Sequence, residues 1–486
     1  MRVAKPCTLQ EVLYPQSVRF QDFHRLVHAC GRIHGETVLR PCCAVNRVLQ
    51  SHASPHSGTQ RGYTLFSGSK RWGLSQAYDA VIVGAGIVGL SAAKELSERY
   101  PRLRLAVLEK ESSVAAHQTG HNSGVIHSGV YYHPGSLKAR FCVQGAAEMV
   151  RFCQLYEVPH EICGKLVVAS EERQKPALEE IHRRALANGV PGVRLLLASE
   201  IRDYEPYAAG VAALLVPGTG ITNYRLVAEK YAELAVRSGV ELRTSSAVLG
   251  IRDSNSEFTI ETSSGAYRSK FLINCAGLYS DRIARLTGAE LPLRIIPFRG
   301  EYYELRPERR DLVRTLIYPV PDSRFPFLGV HFTKKVGGGV EAGPNAVLAL
   351  KREGYSKTAF HPADVLDEVG FPGFWRMAKK YWRTGFAEMY RSFSKAAFVS
   401  ALQRLLPAIR EEDLINASAG VRAQAVDKNG ALVDDFQFVT QARALHVCNV
   451  PSPAATASLP IGRHIVEVAA RDFGWSRNGD RATVVS

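Results

Sequence analysis

Residues 78–110, YDAVIVGAGIVGLSAAKELSERYPRLRLAVLEK, restrict the fold more than any other stretch of the chain. Residues 80–83 form a short apolar run, predicted as a buried parallel strand. Gly84, Gly86 and Gly89 follow in G-x-G-x-x-G spacing. Residues 87–99 carry a helical period, with Leu90, Ala93 and Leu96 on one face. Residues 105–108 read as a second strand, which ends at Glu109, twenty residues beyond Gly89. Each part has a physical reason. Gly84 permits a tight turn, Gly86 lets backbone approach a pyrophosphate, and Gly89 lets helix and strand pack closely. The helix start offers unpaired N–H groups to phosphate, and Glu109 can accept from ribose hydroxyls while disfavouring a 2′-phosphate. Lys110 stands beside that acid. The expected fold is α/β with a Rossmann-like dinucleotide site. This motif alone leaves FAD and NAD both open.

The bulk numbers narrow the class. The 486 residues allow two or three domains. No run reaches the roughly 18 apolar residues needed to span a bilayer, and a peripheral membrane contact stays open. The nine cysteines have no C-x-x-C spacing and no resemblance to a secreted disulfide framework, which points to reduced thiols. The net charge of +15 suits anionic substrates or an anionic surface. No Lys/Arg block is interleaved with aromatics, so nucleic acid is not expected as a partner. Residues 1–76 hold ten Lys and Arg against three Asp and Glu, so about half the excess lies there. That Arg-rich, acid-poor composition suits a mitochondrial transit segment, although no clean basic amphipathic helix begins at Met1.

A second strand–turn–helix, KFLINCAGLYSDRIARLTG, begins at Lys270, with Ala276-Gly277 as its turn. Before it, residues 244–274 alternate as a β-meander. An A-G turn of this kind, where the chain returns to the adenine side, favours FAD over NAD. The histidine-rich loop HQTGHNSGVIHSGVYYHPGSLKARF, residues 117–141, leaves the second strand toward the reactive end of the cofactor. With no Cys or carboxylate within it, the loop is not expected to hold a metal.

These blocks, with CGKLVVA, PFRGEYYEL, IYPVPDSRFPFLGVHFT, GPNAVLALKREGY, AGVRAQAVD and PSPAATASLPIG, come in order over about four fifths of the chain. They resemble the FAD-dependent L-2-hydroxyglutarate dehydrogenase family, within the group typified by D-amino-acid oxidase and glycerol-3-phosphate dehydrogenase. The resemblance implies a Rossmann-like FAD-binding domain and a mixed-sheet substrate domain that roofs the flavin. It implies oxidation of (S)-2-hydroxyglutarate to 2-oxoglutarate by hydride transfer from C2 to flavin N5. Electrons then pass to an acceptor other than NAD, either a quinone or an electron-carrier flavoprotein. Mitochondrial members carry a cleaved leader, which fits the basic N-terminus. Related enzymes acting on glycerol 3-phosphate or amino acids share this architecture. An RNA-interacting flavoprotein is the reading from another class.

The expected division is residues 1–76 as an extension, residues 77–150, 220–290 and 415–475 as the FAD domain, residues 151–219 and 291–414 as the substrate domain, and residues 476–486 as a tail. Oxidising a secondary alcohol needs a base for the hydroxyl proton and cations for the carboxylates. Among His117, His121, His127 and His133, the expected base is His127 in VIHSG; His331 in FLGVHFT is the runner-up. Arg299 in PFRGEY and Arg422 in AGVRAQAV are the expected grips on the dicarboxylate, because a guanidinium holds a carboxylate through two parallel bonds. Lys165, Tyr131 and Tyr302 are further substrate candidates. For the cofactor the expected contacts are Gly84, Gly86, Gly89, Glu109, Lys110, His121, Ser123, Ala276, Gly277, Ala454 and Gly462. Gly462 is read as opening the last helix. Residues 355–412 have a helical pattern rich in Phe, Trp, Tyr, Lys and Arg. They are expected to pack by their aromatic face, with contact to anionic lipid at the inner mitochondrial membrane as the alternative.

Overall fold

The computed structural model describes residues 77–322 and 328–476. The expectations for residues 1–76 and for the end of the tail lie outside the described residues. Strand β1 (Ala77–Val83), helix α1 (Ile87–Arg99) and strand β2 (Leu105–Leu108) form where the motif places them. β1 runs parallel to β2 on one side and to Gly265–Asn274 on the other, with Val81 opposite both Ala106 and Leu272. β2 is buried at all four positions, as a strand covered on both faces must be. Glu241–Arg243 extends the sheet beyond β2. The meander Val248–Asp253 and Phe258–Thr262 extends the other edge, and Ala444–Asn449 joins parallel to the end of Gly265–Asn274. On one face Leu90 and Leu96 of α1 share a core with Val227 and Tyr231 of Tyr224–Arg237 and with Ile461 and Ile465 of Ser458–Phe473. On the other, Val81, Ala106 and Leu272 pack with Phe258, Ile260 and Ile283.

The second lobe is built on a nine-stranded mixed sheet. Its spine is the long antiparallel pair Leu293–Leu305 and Leu414–Asp427. His331–Lys334, Leu316–Pro319 and Lys165–Ala169 follow in that sheet. Here the expected boundary is corrected: residues 415–427 were assigned to the FAD domain, yet they pair along almost their whole length with Leu293–Leu305. A three-stranded piece, in which Val125–Ile126 and His160–Glu161 flank Gly220–Thr222, holds the histidine-rich loop.

The aromatic block also differs from its expectation. Residues 355–361 precede the first helix, and the helices are Pro362–Val369, Pro372–Phe393 and Lys395–Gln403. The longest buries Gly373, Phe374, Met377, Glu388 and Ser392. Its Trp375, Trp382, Phe386, Tyr390 and Phe393 face outward, each more than half exposed. The aromatic stripe is therefore not the packing face.

Candidate active site

One cavity of about 1290 Å³ runs between the lobes. That exceeds the roughly 300–1,000 Å³ of a typical small-ligand pocket. The first end is walled by Gly84, Gly86, Glu109, Lys110, Ala276 and Gly277. Gly84 has φ +103°, and a Cβ there would stand 2.6 Å from the carbonyl oxygen of Cys275, so no other residue keeps the turn. α1 starts after Gly86, which gives no side-chain cap, and has no acid in its first turn; Ile87 N–H donates to Thr119 Oγ1 at 3.0 Å, and Gly86, Ile87 and Val88 line the cavity. Glu109 is nearly fully buried. One carboxylate oxygen accepts from Ala85 N–H at 2.8 Å and the other from Glu111 N–H at 3.0 Å. Each oxygen keeps a lone pair for a ribose hydroxyl. The glycine cradle, the helix start and the acid fit an FAD adenosine and pyrophosphate.

His121, Ser123 and Ala454 also line the cavity. Gly89 and Gly462 do not, and for them the expectation of cofactor contact is corrected. A Cβ on Gly89 would lie 2.1 Å from the Gly84 carbonyl oxygen, and one on Gly462 would lie 2.3 Å from Ser91 Oγ. Gly462 stands inside Ser458–Phe473, not at its start, and lets that helix cross α1 closely.

The other end gathers His127, Tyr131, Tyr302, Tyr318, His331 and Arg422. His127 follows the strand Val125–Ile126. Its N–H donates to Thr456 Oγ1 at 3.0 Å and its carbonyl accepts from the Cys142 thiol at 3.3 Å. Its Nδ1 is buried with no hydrogen-bond partner in the protein. His331 Nδ1 lies 2.8 Å from the Gly329 carbonyl oxygen. A carbonyl only accepts, so Nδ1 holds the proton and the neutral ring offers its lone pair at Nε2. Burial pulls both imidazoles down to about 3, helped by the nearby charges of Lys165 and Arg422. Both rings are thus neutral near pH 7. The ring of Tyr318 is 3.9 Å from that of His331, centroid to centroid, and its hydroxyl bonds Thr333.

Lys165 stands behind this wall. It is 1% exposed, with Nζ 4.7 Å from the Tyr131 ring and 5.3 Å from the Tyr318 ring. Burial lowers it to about 8. The Tyr131 hydroxyl is buried without a partner.

The arginine pair does not assemble as expected. Phe298 is opposite Arg422 and Arg299 is opposite Val421 in the antiparallel register. Side chains alternate across a sheet, so Arg299 and Arg422 project from opposite faces. Arg422 lines the cavity with Gly300, Tyr302 and Gly420. Arg299 is buried on the far side, bonded to Glu301 Oε1 at 2.8 and 3.1 Å and to the Ser356 carbonyl at 2.9 Å. Its place among the substrate grips is corrected on that ground. Glu111, His117 and Glu353 bring three ligand-type atoms together, and Lys110 Nζ sits among them, 2.6 Å from Glu353 and 2.8 Å from His117 Nε2.

Sequence reasoning missed Tyr318 and Thr456. Thr456 ties His127 to Tyr224, whose hydroxyl lies 2.9 Å from Thr456 Oγ1. Its only sequence signal is a small polar residue in the Pro/Ala-rich stretch. The four-residue strand holding Tyr318 is too short to show which side faces the site.

A glycine-cradled nucleotide end joined to a chamber lined by His127, His331, Tyr302 and Arg422 is the site of an FAD-dependent oxidoreductase. The family profile described as "DAO: FAD dependent oxidoreductase" matches residues 79–468. Within that class, the chain belongs to the L-2-hydroxyglutarate dehydrogenase family. It is 52% identical to the L-2-hydroxyglutarate dehydrogenase of Indibacter alkaliphilus over 397 residues, 82% of this chain and 100% of that one. It is 44% identical to the mitochondrial L-2-hydroxyglutarate dehydrogenase of Homo sapiens over 468 residues, 92% of this chain and 98% of that one. Among solved structures it resembles dithionite-reduced L-alpha-glycerophosphate oxidase from Mycoplasma pneumoniae with FAD bound. The TM-score is 0.68 at 21% identity, covering 83% of this chain and 96% of that one.

Proposed function

We propose that the chain oxidises (S)-2-hydroxyglutarate to 2-oxoglutarate. The observation that carries the reading is that His127, His331, Tyr131 and Arg422 line one cavity, with the Lys165 ammonium 4.7 Å from the Tyr131 ring. A dianion in that cavity places one carboxylate against Arg422 and the other toward Lys165 and the Tyr131 hydroxyl. FAD held at the glycine-lined end by Gly84, Gly86 and Glu109 would supply the hydride acceptor for the C2 hydrogen. The hydroxyl proton goes to His127 Nδ1, the buried atom left without a partner. Burial first, and then the charges of Lys165 and Arg422, hold this imidazole at about 3. Two substrate carboxylates oppose the part due to those cations and so raise the basicity of the acceptor. His331 Nε2 accepts a second hydrogen bond from the substrate side.

The electrons leave to an acceptor other than NAD, and a quinone is the better fit. The exposed stripe of Trp375, Trp382, Phe386, Tyr390 and Phe393 lies beside the exposed bases Arg376, Lys379, Lys380 and Arg383. Aromatics on one face with bases around them suit an anionic lipid surface. Lys380 and Tyr381 of the same helix line the cavity. No helix of the described residues is long and apolar enough to cross a membrane, so the contact is peripheral. With the basic segment 1–76, this reading places the protein on the mitochondrial inner membrane.

Anaerobic mixing with (S)-2-hydroxyglutarate, glycerol 3-phosphate and D- and L-amino acids tests the substrate. Only the first should bleach the flavin absorbance, with 2-oxoglutarate as product. Bleaching by the others alone sinks the reading. Co-sedimentation with acidic liposomes tests the surface, and Phe386→Ser/Tyr390→Ser should abolish it.

A further inference from the structure

Residues 350–361 leave the second sheet after Val347–Leu348 and return at helix Pro362–Val369. Their ends are pinned together. Leu350 and Phe360 form a bridge, and His361 N–H donates to the Leu350 carbonyl at 2.9 Å. A compact loop with joined ends results. Between the pins it reaches into the other lobe. Arg352 is fully buried and donates to both oxygens of Asp281, to the Leu278 carbonyl and, at 3.0 Å, to Asp367. Glu353 lines the cavity and pairs with Lys110 at 2.6 Å and His117 at 3.0 Å. The Tyr355 hydroxyl is 3.2 Å from His117 Nδ1, and its ring lies 4.4 Å from that of His121. The Ser356 carbonyl takes the Arg299 guanidinium, which braces the loop from its own sheet.

Lys110 and His121, expected to serve the cofactor alone, thus meet a segment of the substrate lobe. The contacts also divide by burial. The Arg352–Asp281 pair is closed to water on both sides, each side chain 1% exposed. Lys110, His117 and Glu353 are partly exposed, at 31%, 25% and 16%. Buried bidentate pairs are costly to break, whereas part-exposed contacts open locally. The loop therefore has an anchor at 352 and a releasable tip at 353–355. The tip closes over the end of the cavity where Glu109 and Lys110 wait for the ribose.

We propose that residues 353–355 are a latch, carried by the substrate lobe, that shuts the ribose end of the cofactor cavity and sets the rate at which FAD leaves. The inference rests on FAD as the cofactor and is independent of which alcohol is oxidised. FAD loading and release then proceed by opening the tip, while the lobes stay joined through Arg352. No covalent tie to the flavin is needed for retention.

The test is FAD release from the holoenzyme without substrate, followed as the rise in flavin fluorescence on dilution. Glu353→Gln/Tyr355→Phe keeps the shape and removes the charge and the hydroxyl, and should release FAD about tenfold faster. Glu353→Gln alone, the milder change, should give about threefold. Lys110 also pairs with Glu111, so the exchange is made with that acid neutralised: Lys110→Glu/Glu111→Gln should speed release, and adding Glu353→Lys should recover most of the loss, because the pair with residue 353 is restored in reverse. A merely structural role for either residue would not produce that recovery. Unchanged release in both Glu353 variants, or no recovery in the exchanged pair, overturns the proposal.

Discussion

The two lobes differ in how far apart along the chain their decisive residues stand. The cofactor end is set within about 26 residues, from Gly84 to Glu109, where a strand, a turn and a helix dictate one another locally. The substrate end draws on residues 127, 131, 165, 318, 331 and 422, brought together only when two sheets and a short hairpin have formed. The lesson is that a site written in local backbone geometry announces itself, whereas one written in strand register does not.

Substitutions can break or sharpen that contrast. The largest effect belongs to the local site. Gly84→Val places carbon against the Cys275 carbonyl in a backbone conformation closed to valine. The purified protein should hold almost no FAD by its absorbance, and full occupancy would refute the close approach. Next is the base. His127→Ala should slow anaerobic flavin reduction by about 10²–10⁴-fold with FAD content unchanged. Equal loss of both would make His127 structural.

The arginines then separate the two sheet faces. Arg422→Ala should weaken dicarboxylate binding by about 2 kcal/mol, the scale of a charged hydrogen bond. It should spare monocarboxylates more, as read by flavin spectral titration. Arg299→Ala should leave that ratio alone and lower stability by about 1.5–3 kcal/mol, because Glu301 loses its nearest cation and keeps Ser392, Asn345 and the more distant Lys357. A reversed pattern would mean that the register is wrong.

The smallest effects are in pH. Lys165 must be charged to attract a carboxylate, and its folded value of about 8 lies below the ordinary 10.5. Affinity for the dianion should therefore fall as pH rises through about 8, and Lys165→Met should remove that limb. The same depression means that the buried ammonium opposes folding at every pH below 8. Lys165→Met should then stabilise the fold by on the order of 2 kcal/mol at pH 7 while costing affinity. The histidines run the same way on the acid side. Their folded values near 3 lie below the ordinary 6.5. The unfolded chain thus takes up their protons first, and stability is lost as pH falls from 6.5 toward 3. His331→Asn should flatten part of that slope in a denaturant titration.

Much of this was legible. The parallel core strands, the glycine turns and the Ala276-Gly277 return all stand in short motifs. What was hidden has one cause. Arg299 and Arg422 sit in equally apolar, Gly-flanked settings, and only the pairing of Phe298 with Arg422 assigns them to opposite faces. Gly462 reads from the sequence as the opening of the last helix because its real neighbour, Ser91, is remote in the chain. The strand 414–427 was placed with the elements that follow it, although its partner lies more than a hundred residues earlier. The aromatic helix carries two apolar faces, and the one that packs is set by Phe374 and Met377 against Ile296 and Val426, while most of its aromatics stand on the other.

The crossing at Gly462 and Ser91 has a consequence for how the protein comes into being. Ser458–Phe473 supplies Ile461 and Ile465 to the core beneath α1, and Ser91 Oγ donates to the Ser458 carbonyl at 2.8 Å. While the ribosome is still adding the middle of the chain, the first nucleotide-binding unit has an open apolar flank. It cannot close until the final helix has emerged. Truncation before residue 458 should therefore open the core beneath a pocket whose signature lies more than 350 residues upstream, and flavin capture should wait for the last helix to dock.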